Sequence, residues 1–279
     1  MIRSLILVLC SLFLNLSSVS LSNLKNSSVK QLAIELSENG VRFSAMEGEH
    51  VQRHEFAFTD KKDYRFKEQL DEFLVQSGLK DKNFDEHTVS WGSFRSTLIP
   101  TNIFGESKPE DLFRLCFGPD IPASHIDYNR IPEQGLVNLY EIPLWVKSFF
   151  VVKYPRSVIQ HEGSHTIRGI FAENTFRTKA TIVLFSNFFL LAILKENKLQ
   201  FYSVFEYQEV DDVVYHLMFT LQQKEFLDDT GSIQICPGVG AQNEKMSELK
   251  EKLSQLQDLK QMKIEINEHF TINSQKLCV

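Results

Sequence analysis

Residues 179–206 read KATIVLFSNFFLLAILKENKLQFYSVFE. The apolar residues fall into three runs, Lys179 to Phe185, Phe188 to Leu194 and Leu199 to Glu206, broken at Ser186-Asn187 and at Lys195-Glu196-Asn197. Short β-type runs separated by turn residues form an antiparallel meander, with the last two strands joined as a hairpin. Downstream, Val210 to Gln223 places Val213, Val214, Leu217 and Leu221 at helical core spacing. A buried strand follows at Ser232 to Cys236, then a turn at Pro237-Gly238-Val239-Gly240, an amphipathic helix at Glu244 to Leu256 and a last strand at Met262 to Ile266.

The same order stands upstream. Gln31 to Leu36, Gly40 to Met46 and His50 to Phe58 are three strands split by Asn-Gly and Gly-containing turns. Lys62 to Gln76 then sets Phe66, Leu70, Phe73 and Leu74 on one helical face. Strand runs at Thr88 to Ser90 and Ser96 to Pro100 precede a helix at Pro109 to Phe117. A strand at Val137 to Ile142, a helix at Leu144 to Tyr154 and a strand at Ser157 to Gln160 complete this half. Strands then helix, twice, predicts an α/β duplication, with halves at 28–176 and 177–279.

Composition fits such a body: 279 residues with 43% hydrophobic and 24% charged content suffice for a sizeable core. A net charge of −6 opposes binding along a phosphate backbone, so nucleic acid is not expected as a partner. Cys10, Cys116, Cys236 and Cys278 lie too far apart for a zinc knuckle or redox pair and read as free thiols. At the amino end, Arg3 precedes the apolar run Leu5 to Leu14 and the small polar stretch Ser17 to Ser20, which is the outline of a secretory signal cleaved after Ser20. The competing reading is a true start near Leu24, with 1–23 outside the protein. The first version gives an exported protein and the second a cytoplasmic one. No transmembrane span is expected in the folded body.

Four stretches carry a resemblance: Leu32–Phe43 (LAIELSENGVRF), Thr97–Phe104 (TLIPTNIF), Asn138–Pro143 (NLYEIP) and Leu199–Leu217 (LQFYSVFEYQEVDDVVYHL). In these the chain resembles an uncharacterised family found chiefly in Bacteroidota, domain of unknown function 3822. The resemblance implies two tandem ribonuclease-H-like halves in an actin-like ATPase arrangement. It also implies a start close to the first strand, which favours the cytoplasmic version.

Actin-like ATPases hold phosphates on two turns, where an acid positions magnesium and glycines let backbone N–H groups approach the oxygens. Here those turns read Ser37-Glu38-Asn39-Gly40, with a single glycine, and Phe185-Ser186-Asn187-Phe188, with neither acid nor glycine. ATP hydrolysis is therefore not expected, and neither is a cofactor. Gly238 and Gly240 resemble the adenosine-contacting loop and keep nucleotide binding open as an alternative, although a tight strand-to-helix connection needs glycine in any case.

His161-Glu162-Gly163-Ser164-His165 matches the zinc peptidase pattern, in which two histidines one turn apart hold the metal and a glutamate activates water. That geometry needs all five residues on one helix. Pro155 and the strand at Val158-Ile159 place His161 at a strand end, Gly163 disfavours a helix interior, and Ser164 reads as the cap of a helix from His165 to Phe171. No third ligand follows at a family spacing, Glu173 being the one acid within reach. Glu209, Asp211 and Asp212 read as capping carboxylates of the following helix. Met246, Leu249, Leu253 and Leu256 read as the packed face of a surface helix. The expectation is a non-catalytic actin-like protein that binds another protein or a small ligand.

Overall fold

The protein is described by a computed structural model covering residues 29–277, apart from 49, 61, 81 and 174. Both versions of the leader concern residues outside this range.

Strands β1 (Lys30–Ser37), β2 (Gly40–Glu47) and β3 (His50–Ala57) form the first meander. A turn at Glu38-Asn39 joins β1 and β2, pairing Ser37 with Gly40. Glycine is required at 40 because a β-carbon there would lie 2.6 Å from the Phe56 carbonyl oxygen across the strand. Helix α1 (Asp63–Gln76) leads to β4 (Glu86–Gly92), which lies parallel to β1, and β8 (Val158–His161) lies parallel to β4. The sheet order is β3-β2-β1-β4-β8.

The second half repeats it: β9 (Thr178–Leu184), β10 (Phe188–Lys195), β11 (Lys198–Glu206), β12 (Gly231–Pro237) and β13 (Met262–Ile266) stand in the order β11-β10-β9-β12-β13. Glu196 and Asn197, with φ of 53° and 55°, make the two-residue hairpin between β10 and β11. Pairing and direction match strand for strand, so the duplication read from the sequence is present in the topology.

Each sheet buries its outer face under helices. Helix α1 and α4 (Leu144–Lys153) cover the first, where the Phe66 and Trp145 rings stack at 4.4 Å. Helices α6 (Val210–Gln223) and α7 (Asn243–Gln255) cover the second, burying Val213, Leu217, Leu221, Met246, Leu249 and Leu253. Helices α5 (Glu162–Ala172) and α8 (Phe270–Lys276) join the core with Val183, Leu190 and Cys236 of the second sheet. They approach so closely that a β-carbon on Gly169 would lie 2.1 Å from the Ser274 hydroxyl.

Two expectations need correction. The first half is not a plain repeat of the second: between β4 and β8 it carries a separate three-stranded sheet, β5 (Ser96–Pro100), β7 (Leu136–Glu141) and β6 (Ile126–Ile131), in the order β5-β7-β6. Helices α2 (Thr101–Gly105) and α3 (Pro109–Phe117) accompany it. Strand β6, IDYNRI, escaped the sequence reading because only Ile131 in it is fully buried, which leaves no alternation to detect. The second correction is the start of α5. The helix begins at Glu162, with His161 in the capping position and its Nδ1 accepting from the Gly163 N–H at 3.0 Å. An imidazole nitrogen does the work expected of Ser164, whose hydroxyl instead donates to Asn129 Oδ1 at 3.0 Å.

Candidate functional site

The two turns that would face a nucleotide face each other. Asn39 Nδ2 donates to Ser186 Oγ at 2.6 Å and to Asn187 Oδ1 at 2.9 Å. Behind this bridge the Phe185 ring stacks on Phe188 at 4.3 Å and lies buried. It sits against Gly92 at the end of β4 and Gly238 after β12. A β-carbon at Gly92 would fall 2.5 Å from the ring, and one at Gly238 would fall 2.8 Å from it. These glycines make room for a phenyl group in the middle of the cleft. Tyr207 donates its hydroxyl to the Phe185 carbonyl at 2.6 Å and fixes the turn from below.

The loop at 237–240 is held from the opposite half. Arg42, 6% exposed, donates from Nη1 to the Pro237 carbonyl at 3.2 Å and from Nη2 to the Gly238 carbonyl at 2.8 Å. It pairs with Glu35 at 3.5 Å and with Glu55 at 3.0 Å, and Glu55 accepts from the Gly240 N–H at 2.9 Å. Gly240 has φ +76°, a left-handed value that explains this glycine by itself. Gly238 and Gly240 therefore lie together at the cleft, with their backbone groups engaged by protein. Sequence reasoning did not single out Arg42. A cation between Val41 and Phe43, on a strand whose neighbours are buried, is the signal that it needs an internal partner.

What remains open is a hollow of about 160 Å³ lined by Glu38, Asn39, Arg95, Glu141, Asn187 and Glu206 among others. Arg95, its one cation, is spent on Glu141 at 2.8 Å. Ligand pockets usually measure about 300–1,000 Å³. The hollow falls below that range and is lined by three carboxylates, Glu38, Glu141 and Glu206.

The pentapeptide at 161–165 lies at a three-way junction. His161 is buried, with Nδ1 accepting from Gly163 and within 3.2 Å of Asn138 Nδ2, and with Nε2 3.2 Å from Ser93 Oγ. Burial drives its pKa down to about 3, so the ring is neutral. His165 is also pushed down to about 3, by burial first and then by the charge of Arg168. Glu162 is raised to about 8 by burial and by Glu35, against hydrogen bonds from Ser90 and Thr166 and the charge of Arg42. Within the inserted sheet Ser96 donates to Asn138 Oδ1 at 2.8 Å and meets the Tyr202 hydroxyl of β11 at 2.8 Å, while Asn138 Nδ2 donates to Ser164 Oγ at 3.1 Å, so the sheet is tied to both halves. Both ring nitrogens of His161 are thus occupied by protein groups. Among the described residues no three His, Cys, Asp or Glu side chains gather to hold a metal ion. Glu173 pairs with Lys179. Of the three carboxylates at the start of α6, Asp212 accepts from the N–H groups of Gln208 and Glu209 at 2.9 and 3.0 Å and forms a capping box with Glu209, whereas Asp211 pairs with Lys252. Cys116 and Cys236 are free thiols. No helix among the described residues is long and apolar enough to cross a membrane.

Comparison with solved structures places this geometry in the actin-like ATPase fold. A Bacteroides thetaiotaomicron protein described as having an actin-like ATPase fold and unknown function aligns with a TM-score of 0.70 at 18% identity, covering 92% of this chain and 99% of that one. A chain of the PilM-PilN type IV pilus biogenesis complex aligns with a TM-score of 0.50 at 10% identity, covering 85% and 91%. Both likenesses concern the fold. A search of curated proteins gives no match. The profile of one family covers residues 20–256, and the chain belongs to that family, described as Protein of unknown function (DUF3822).

Proposed function

We propose that this protein is a non-catalytic member of the actin-like fold that acts by binding another protein. The observation that carries this reading is the Phe185 ring, packed between Gly92 and Gly238 where the two halves meet, behind the hydrogen bonds from Asn39 to Ser186 and Asn187. Catalysis of phosphoryl transfer rests on positioning phosphates and a metal ion. Here the turn groups that would do so are bonded to each other. The carboxylates of the remaining hollow add repulsion. The pilus complex with the same fold is an assembly of two proteins, which supports a binding role on this scaffold.

The alternative is a divergent nucleotide binder using Gly238 and Gly240. A thermal-shift series with ATP and magnesium, ADP, and magnesium alone separates the two. A specific ligand well above its dissociation constant raises the melting point by mass action. The non-catalytic reading expects no rise in any arm and no phosphate release. A saturable rise with either nucleotide sinks it.

A further inference from the structure

We propose that a second copy of this chain docks on the outer face of the second half, with α6 antiparallel to the α6 of the second copy. The proposal rests on a different surface from the cleft and holds whether or not nucleotide binds there. Helix α6 turns Val213, Leu217 and Leu221 into the core. Its other face projects Tyr215 and Phe219, one turn apart, 62% and 49% exposed, with rings stacked at 6.0 Å. Together with Phe201, Phe205 and His216 they wall a hollow of about 460 Å³ against β11 at the edge of its sheet. Those rings form a ladder, Phe201 on Phe205 at 6.2 Å and Phe205 on His216 at 4.2 Å. The other face of β11 is already in use, with Leu199, Tyr202 and Val204 packed toward the inserted sheet and α5.

A two-fold interface requires one patch that complements itself. This patch offers both parts, since Tyr215 and Phe219 project from α6 and at the same time form one wall of the aromatic hollow that would receive the same side chains of the second copy. Its charges agree. Asp211 lies in the first turn of α6, one turn before Tyr215 on the same face, whereas Lys224 follows the last turn and lines the hollow. Asp211 is met by Lys252 at 2.7 Å but stays open to solvent on its other side, its side chain being 75% exposed. Antiparallel helices bring Lys224 of each copy to the acidic end of the other and set the helix dipoles in opposition. A parallel arrangement would oppose like charges.

Sedimentation of the full chain, from low micromolar to hundreds of micromolar, tests this. The expected result is a concentration-dependent dimer whose dissociation constant rises about tenfold or more in Phe219→Asp and in Tyr215→Ser, as for a central aromatic anchor. Both side chains face solvent, so the monomers should melt near the wild-type temperature. Lys224→Glu should weaken the dimer and Asp211→Lys/Lys224→Glu should restore it, which a merely sticky surface would not do. A chain that stays monomeric throughout overturns the proposal, as does a dimer indifferent to these substitutions.

Discussion

The side-chain amide of Asn39 donates to the hydroxyl oxygen of Ser186 at 2.6 Å, across the cleft between the two sheets. One residue ends the β1–β2 turn and the other opens the β9–β10 turn, so equivalent turns of a duplicated unit meet.

Removing this bridge should weaken the closed form without dismantling either half. Asn39→Ala is expected to cost about 1 kcal/mol, the ordinary net worth of hydrogen bonds at a partly exposed site. A urea titration reads it as a lower midpoint with an unchanged slope.

Arg42 should matter far more. Its guanidinium is buried and answers Glu35, Glu55 and two carbonyls of the other half. Arg42→Met leaves the buried Glu35 without its partner and is expected to cost about 3–5 kcal/mol. Adding Glu35→Gln should recover part of the loss, and a double-mutant cycle in denaturant measures how much.

Gly163→Ala tests the three-way junction. The added β-carbon would lie 2.0 Å from the Tyr202 hydroxyl in a packed site, so a loss of about 1–3 kcal/mol is expected. Tyr202→Phe deletes that oxygen and should make the alanine cheaper. Equal costs in the two backgrounds would argue against this contact.

Stability should fall with rising pH over a defined window. The Glu162 carboxyl is raised from 4.5 to about 8, so the folded chain holds a proton that the unfolded chain has released. Its contribution is full below about 4.5 and is lost as the pH climbs through about 8. His161 and His165 act in the other sense: both are lowered from 6.5 to about 3, and their contribution disappears as the pH falls through that range. Glu162→Gln should flatten the alkaline loss and leave the acid loss in place, as followed by melting temperature from pH 4 to 9.

The duplication was legible because both meanders and their helices are built from strong alternation, buried runs and Gly or Asn turns, signals local in sequence. The composition of the two turns is equally legible, since the absence of acid and glycine at 185–188 needs no coordinates. Strand β6 was not, because its residues are mostly half-exposed. The roles of Gly92, Arg42 and Tyr202 were hidden for a different reason. Each is defined by a group on the other half, Phe185, Gly238 and Ser96, and no spacing along the chain reports such pairs. The 161–165 pattern resembles a metal site because His and Glu also serve as buried hydrogen-bonding groups, the use that His161 and Glu162 have here.

Hydrogen exchange at the amides of Gly238 and Gly240, with and without ATP and magnesium, tests the closed cleft most directly. Gly238 donates to the Leu184 carbonyl at 2.7 Å and Gly240 to Glu55 at 2.9 Å, so both amides should exchange slowly in the free protein and be unchanged by nucleotide. Fast exchange in the free protein, or a nucleotide-dependent change confined to this loop and the turns at 37–40 and 185–188, would contradict the account.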